Sequence, residues 1–444
     1  MNKRHAPILI LLVLLSLSVV CFSAFLLWKI APKKQAESVS SLETDSVFVS
    51  DSAVQPEREA AYEGELPNIP LPDEDPLPPE PAEQEQSESV QPPAPSAEEL
   101  SAEKKLAEMS LEEKIWQLFF VTPEELTDGG TVTRAGEDTK NSIAARPVGG
   151  VVYFSANLED QQQVTQMLSN IQSYSEIPLF LAVDEEGGAV QRIGTNDALG
   201  GQAVGSMQSL GEAGDPSAVY SAGAALADNL SRLGFNLDFA PVADVSSGSD
   251  SVIGSRSFGS DAELCASFVG ILTQSFRDRQ IVSCLKHFPG YGSASSDSHT
   301  GSARLDKTLD ELERCDLIPF RAALDTPFIM VCHLSCPAVT GDDTPADLSY
   351  AIVTDLLRNK MGYRNVIITD SHEMASITDL YGSGEAAVRA FEAGCDMILM
   401  PVDLQAAYDA LLKSVQDGSI PESRVDESVR RILTVKAQYG LLER

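Results

Sequence analysis

The chain has 444 residues, 43% of them hydrophobic, and a formal net charge of -34. That apolar share supports a large core, whereas so acidic a surface repels phosphate backbones and argues against nucleic-acid binding. The length accommodates one α/β barrel of about 250 residues or more, with a long extension.

The N-terminus carries Lys3 and Arg4 and then runs from Ile8 to Trp28 without a charge. About 20 apolar residues span a bilayer as a helix, and the run exceeds the apolar centre of a cleaved signal peptide. Residues 1–34 therefore predict a cytoplasmic tip and an uncleaved transmembrane anchor. Cys21 follows Ser18-Val19-Val20, a poor lipoprotein signal. Lys29, Lys33 and Lys34 flank the far end, so charge alone does not orient the helix. The long soluble region that follows favours an extracytoplasmic catalytic domain on a bacterial cell membrane.

Residues 35–97 are rich in Pro, Glu, Ser and Gln and lack apolar periodicity. Such a segment cannot bury enough surface to offset its chain entropy, so a disordered acidic spacer is predicted.

From residue 98 to 444 short apolar runs alternate with amphipathic stretches. Strands are predicted at 117–122, 150–154, 179–185, 236–242, 282–287, 328–333, 366–370 and 396–401. Helices between them include 218–233, 264–279 and 386–392. Eight strands alternating with helices predict an α/β fold with a closed parallel sheet, a TIM barrel. The strands are nearly continuous apolar runs, as expected where both faces are buried. The seven cysteines form no CxxC pair, and buried thiols are expected rather than disulfides. Cys332, His333 and Cys336 match no common zinc spacing.

In such a barrel the active site lies at the C-terminal ends of the strands. Polar residues gather at five of them: Asp184-Glu185-Glu186-Gly187-Gly188, Asp244, Lys286-His287, His333, and Asp370-Ser371-His372-Glu373. Asp370 closes the apolar run Val366-Ile-Ile-Thr and suits either a nucleophile or a helix N-cap. Lys286 follows Val282-Ser-Cys-Leu285 and would be costly to bury without a partner. Gly187 and Gly188 suit a tight turn. Asp244 and His333 stay open between structural and substrate-facing roles. His372 and Glu373 are expected at the pocket rim. His372-Glu373 does not begin a zinc-protease motif, because no second histidine follows.

The runs Asp184-Glu-Glu-Gly-Gly-Ala-Val-Gln-Arg192, Ser255-Arg-Ser-Phe-Gly259, Lys286-His-Phe-Pro-Gly290, Asp297-Ser-His299 and Ile368-Thr-Asp370 occur in the order seen in glycoside hydrolase family 3. The chain resembles the single-domain β-N-acetylglucosaminidase branch of that family over roughly residues 100 to 440. The resemblance implies a retaining exo-β-N-acetylglucosaminidase acting on cell-wall (peptidoglycan) fragments or related glycans. It implies Asp370 as nucleophile, His299 as general acid/base and Asp297 as its partner. It implies Asp184, Arg192, Arg256, Lys286 and His287 as the sugar-binding set. No metal, no cofactor and no nucleic-acid partner is implied, and a monomer held at the membrane by its N-terminal helix is the expectation. Ala189 stands where the family commonly has arginine, and Tyr291 where histidine is usual. A β-glucosidase or β-xylosidase, a phosphorylase, and a catalytically inactive wall-binding protein are the competing readings.

Overall fold

The computed structural model describes residues 95–246, 252–294, 301 and 303–443. The expected anchor and nearly all of the spacer lie outside the described residues, as do Asp297 and His299. Among the described residues no helix is long and apolar enough to cross a membrane.

Eight parallel strands close into a barrel: β1 (Phe119–Val121), β2 (Gly150–Val152), β3 (Phe180–Val183), β4 (Leu237–Asp238), β5 (Val282–Phe288), β6 (Phe328–Val331), β7 (Val366–Ser371) and β8 (Met397–Leu399). Each strand pairs with its neighbours in sequence, and β1 pairs with β8 to complete the ring. All eight predicted strands are present, and most are shorter than expected. Apolar runs such as Phe239–Val242 stay buried after the ladder has ended, because the loops above the strands are themselves covered. An apolar run reports burial, not pairing.

Aromatic pairs from non-adjacent strands fill the barrel. Phe180 of β3 meets Phe328 of β6 edge-on at 5.1 Å between centroids, and Phe120 of β1 meets Phe239, just past β4, at 5.2 Å. Room for them comes from the start of β2. A Cβ on Gly149 would lie 2.2 Å from the Gln117 carbonyl, and one on Gly150 would lie 2.4 Å from the Phe120 ring.

The outer helices begin and end on ordinary local signals. Pro216–Leu233 is capped by the Asp215 side chain and stopped by Gly234 at φ +102°. The carboxylate of Asp261 accepts from the amides of Glu263 and Leu264 to start Ala262–Arg277. The link from β6 to β7, Ala351–Lys360, is wound as a π-helix. Two register shifts interrupt the ladder, between Leu285 and Phe288 on β5 and opposite the end of β7. Both fall beside the polar residues picked out from the sequence, where such irregularities re-aim side chains.

Away from those residues, Asp396 just before β8 holds the base of the barrel together. It is fully buried, accepts from the Ile367 amide of β7 at 2.9 Å, and contacts Arg358, Arg431 and Arg424 on the surrounding helices. Burial favours its neutral form, yet the arginines, Arg358 foremost, hold its carboxyl below the usual range. Asp396→Ala is expected to lower the unfolding free energy by about 3–5 kcal/mol, because it strands buried Arg358 without its counter-charge. Urea unfolding of the variant beside the natural chain, at one pH, measures the loss.

Candidate active site

A cavity of ≈ 530 Å³ opens at the C-terminal ends of the strands. Asp184, Arg192, Arg256, Lys286, His287 and Asp370 all line it. The tertiary structure thus gathers six of the eight residues singled out from the sequence around one space. A larger cavity of ≈ 800 Å³ lies elsewhere, lined by Lys104, Lys105, Glu176 and Arg232, and contains none of them.

The wall is an ion network built on Lys286. Its ammonium lies 2.9 Å from Asp184 Oδ1 and 2.7 Å from Glu186 Oε1. Glu186 in turn takes both forks of Arg256, each at 2.7 Å. Burial disfavours the charged forms of all three ions at the centre. For Lys286 it is outweighed by Asp184 and Glu186, which hold the amine above its ordinary value. For Glu186 it is outweighed by Lys286 and Arg256, which drive the carboxyl down to about 2. An ammonium has three N–H donors, and two point at carboxylates, so one remains for a ligand.

Glu186 was not picked out as a functional residue. Its neighbour Glu185 faces the other way and accepts from the amides of Arg192, Ile193 and Gly194 at 2.7–2.8 Å. This binds the return of the hairpin formed by Glu185–Gly187 and Val190–Gln191. The turn needs Gly187 and Gly188, at φ +96° and +60°, where a Cβ on either would come within 3.0 Å of a neighbour. Ala189 is exposed at the tip. The alternation of side chains along an extended segment could have separated the two glutamates, but nothing in the sequence says which of them faces the cavity.

His287 is held from two sides. Its Nδ1 lies 2.7 Å from Asp244 Oδ2, and its Nε2 lies 3.4 Å from an Arg256 nitrogen. A carboxylate accepts and a guanidinium only donates. The ring therefore carries its proton on Nδ1, and its Nε2 accepts from Arg256. Asp244 proves structural: it is fully buried, and it also accepts from the Tyr291 amide at 2.6 Å. Tyr291 is buried, its ring edge-on to His287 at 5.9 Å. Arg192 leaves its Nε without a hydrogen-bond partner, and it reaches Asp184 Oδ2 only at 3.9 Å. Both atoms are free to meet a ligand hydroxyl.

Asp370 ends β7 at the cavity wall, with Oδ1 accepting from the Ser371 amide at 2.8 Å. Burial pushes its carboxyl up, but cationic neighbours, His333 foremost, and the Ser371 N–H hold it below the ordinary value. It is an ionised carboxylate on a rigid strand. The N-cap alternative finds no support, since the next helix, Ala375–Thr378, starts at Met374. Glu373 lines the cavity as expected. His372 does not: it is buried and turns to Asp347, 3.0 Å away. His333 is likewise buried, between Asp347 and the Ser371 carbonyl.

The six described cysteines are free, and five of them are buried. The thiols of Cys332 and Cys336 are turned to backbone carbonyls. The three side chains near His333 that carry metal-ligand atoms are instead His333, Asp347 and His372.

A closed eight-stranded parallel barrel with a polar, charge-paired cavity at the C-terminal ends of its strands is a TIM barrel with its site where such barrels carry one. The glycosyl hydrolase family 3 N terminal domain matches residues 110–435, and the chain belongs to that family. It is 31% identical over 327 residues to beta-hexosaminidase A of Pseudoalteromonas piscicida, covering 67% of this chain and 54% of that protein. It is 38% identical over 271 residues to beta-hexosaminidase LpqI of Mycobacterium tuberculosis, covering 59% of this chain and 68% of that protein. Among solved structures, a glycoside hydrolase family 3 beta-N-acetylglucosaminidase from a Paenibacillus species superposes with a TM-score of 0.70 at 35% identity, over 75% of this chain and 63% of that one. The chain thus spans little more than half the length of the first of these relatives.

Glu186→Gln tests the network. The folded carboxyl lies near 2 against an ordinary 4.5, so its contribution is complete above the ordinary value and is lost as pH falls toward 2. The variant is expected to be less stable by about 3 kcal/mol at pH 7, and the gap should close between about pH 4.5 and 2. Paired urea titrations across that range give the difference directly.

Proposed function

We propose that the protein is a retaining exo-β-N-acetylglucosaminidase that removes terminal β-linked N-acetylglucosamine from cell-wall fragments. The observation that carries this reading is Asp370. It is a carboxylate kept ionised at the cavity wall, on the end of a strand, facing a set of sugar-sized polar partners. Relatives that bear the names beta-hexosaminidase and beta-N-acetylglucosaminidase support the substrate class.

In the first step an Asp370 oxygen attacks the anomeric carbon while His299 gives a proton to the departing glycosidic oxygen. In the second, His299 takes a proton from water, the water oxygen attacks the same carbon, and Asp370 leaves as a carboxylate. Asp297 orients the His299 ring and stabilises its charged form. The chain enters the segment bearing both residues from Tyr291 and Gly292, beside Asp244 and the Val245 backbone. Asp184 Oδ2 accepts from a sugar hydroxyl, while the third Lys286 N–H and the Arg192 Nε donate to sugar oxygens. Leaving such groups unpaired under a bound sugar would be costly, which gives the pocket its selectivity. The uncharged run of residues 8–28 supports an enzyme tethered outside a cell membrane, where such fragments occur.

The test is nitrophenol release by the full chain in detergent, from the β-N-acetylglucosaminide and from the β-glucoside. Turnover of the acetylated sugar is expected, and Asp370→Asn should lower kcat by about 10⁴-fold or more. His299→Ala should lose far less activity on a dinitrophenyl glycoside, whose leaving group needs no proton. Turnover of the glucoside alone would overturn the substrate assignment. A sugar 1-phosphate formed on adding inorganic phosphate would assign phosphorolysis in place of hydrolysis.

A further inference from the structure

Behind Asp370, on the side away from the sugar-binding set, lies a second polar cluster that the proposed mechanism does not use. His333 lies two residues past the end of β6, Asp347 lies in the connection that follows, and His372 lies two residues past Asp370. All three are at most 2% exposed. His333 Nε2 is 2.8 Å from the Ser371 carbonyl oxygen, and its Nδ1 is 3.0 Å from Asp347 Oδ1. The other Asp347 oxygen is 3.0 Å from His372 Nε2.

We propose that His333 is a positioning residue for Asp370, held permanently as an imidazolium by Asp347, with His372 as the second support of that carboxylate. The proposal rests on Asp370 being the nucleophile.

The protonation state follows from the partners. A carbonyl oxygen only accepts, so His333 Nε2 must carry a proton. If Nδ1 were bare, that electron-rich nitrogen would sit 3.0 Å from a carboxylate oxygen, at ion-pair distance though outside hydrogen-bond geometry, in a site without water-exposed surface. A second ring proton turns that repulsion into attraction. His372 is the opposite case. Its Nε2–H donates to Asp347, while its Nδ1 has neither a hydrogen-bond partner nor the carboxylate contact that His333 Nδ1 has, so a second proton there would find no acceptor. One ring is charged and the other neutral, and each Asp347 oxygen has a ring nitrogen 3.0 Å away. The electrostatic balance agrees. Burial opposes the charge on His333, but Asp347 and Asp370 outweigh it and move the ring up to about 9. Burial moves His372 down.

The consequence falls on Asp370. It must be an anion to attack, becomes a neutral ester in the glycosyl-enzyme, and must leave again as an anion. A fixed cation behind it favours the ionised states and speeds breakdown of the intermediate. The Ser371 link also fixes the backbone of the residue next to the nucleophile. Lys286 and His287 from β5, and Glu373 on its own loop, also face Asp370. These remain when the His333 charge is removed.

The experiment uses the full chain, Asp347→Asn and His333→Gln. In both variants the acid limb of kcat/KM for the nitrophenyl β-N-acetylglucosaminide should move up by about one pH unit, with kcat falling more than KM changes. Covalent glycosyl-enzyme should build up in intact-mass spectra. A uniform loss of kcat with an unmoved limb would reduce the cluster to a structural role and overturn the proposal. The chain has only five histidines, so ¹⁵N NMR of the rings, assigned by His→Gln variants, reads the charge independently of activity. One ring doubly protonated through pH 8, absent from His333→Gln, is expected. A neutral His333 at pH 7 overturns the proposal, as does one equivalent of bound metal that Asp347→Asn removes. A natural chain that cleaves no acetylated glycoside would instead sink the functional reading, and the NMR result would still decide the charge on His333.

Discussion

The site depends on one constraint: an ammonium buried at the end of β5 must find its counter-charges inside the protein. Lys286 is nearly inaccessible, and an unpaired charge there would cost several kcal/mol. Asp184 and Glu186 supply the compensation from the far end of β3, so the salt bridges also set how the loops after these strands meet. Arg256 enters because Glu186 has a second oxygen to satisfy, and His287 because Arg256 and Asp244 face it from two sides. Each polar residue is held by the one before it, and the atoms offered to the cavity are those left over when this internal pairing is complete.

Asp370 stands between two such clusters. On one side the Lys286 network offers donors and acceptors to a ligand. On the other, His333, Asp347 and His372 are sealed from solvent and reach Asp370 only through charge and through the Ser371 backbone. The register shifts of β5 and at the end of β7 fall where these clusters meet the barrel. A regular ladder would aim successive side chains alternately inward and outward. The irregular one lets consecutive residues such as Lys286 and His287 line the same cavity.

The two departures from the family pattern carry different weight. Ala189 is exposed at a hairpin tip and is not among the residues that line the cavity. Tyr291 is buried against His287, and its amide is tied to Asp244, so a change there disturbs the packing around His287.

By itself, the sequence determined the barrel, because eight apolar runs separated by amphipathic helices have few other ways to bury both faces of every strand. It also marked Asp370 and Lys286 as charges that end apolar runs, while leaving Asp370 open between a nucleophile and a helix N-cap. The partners were decided only by the tertiary structure. Which of Glu185 and Glu186 faces the cavity depends on the hairpin and its two glycines. Whether His287 donates or accepts depends on Asp244 and Arg256, 43 and 31 residues away in the chain. His333 and His372 look like isolated histidines until the fold brings Asp347 between them. Pairing of buried charges is a relation between distant segments, and local patterning carries no record of it.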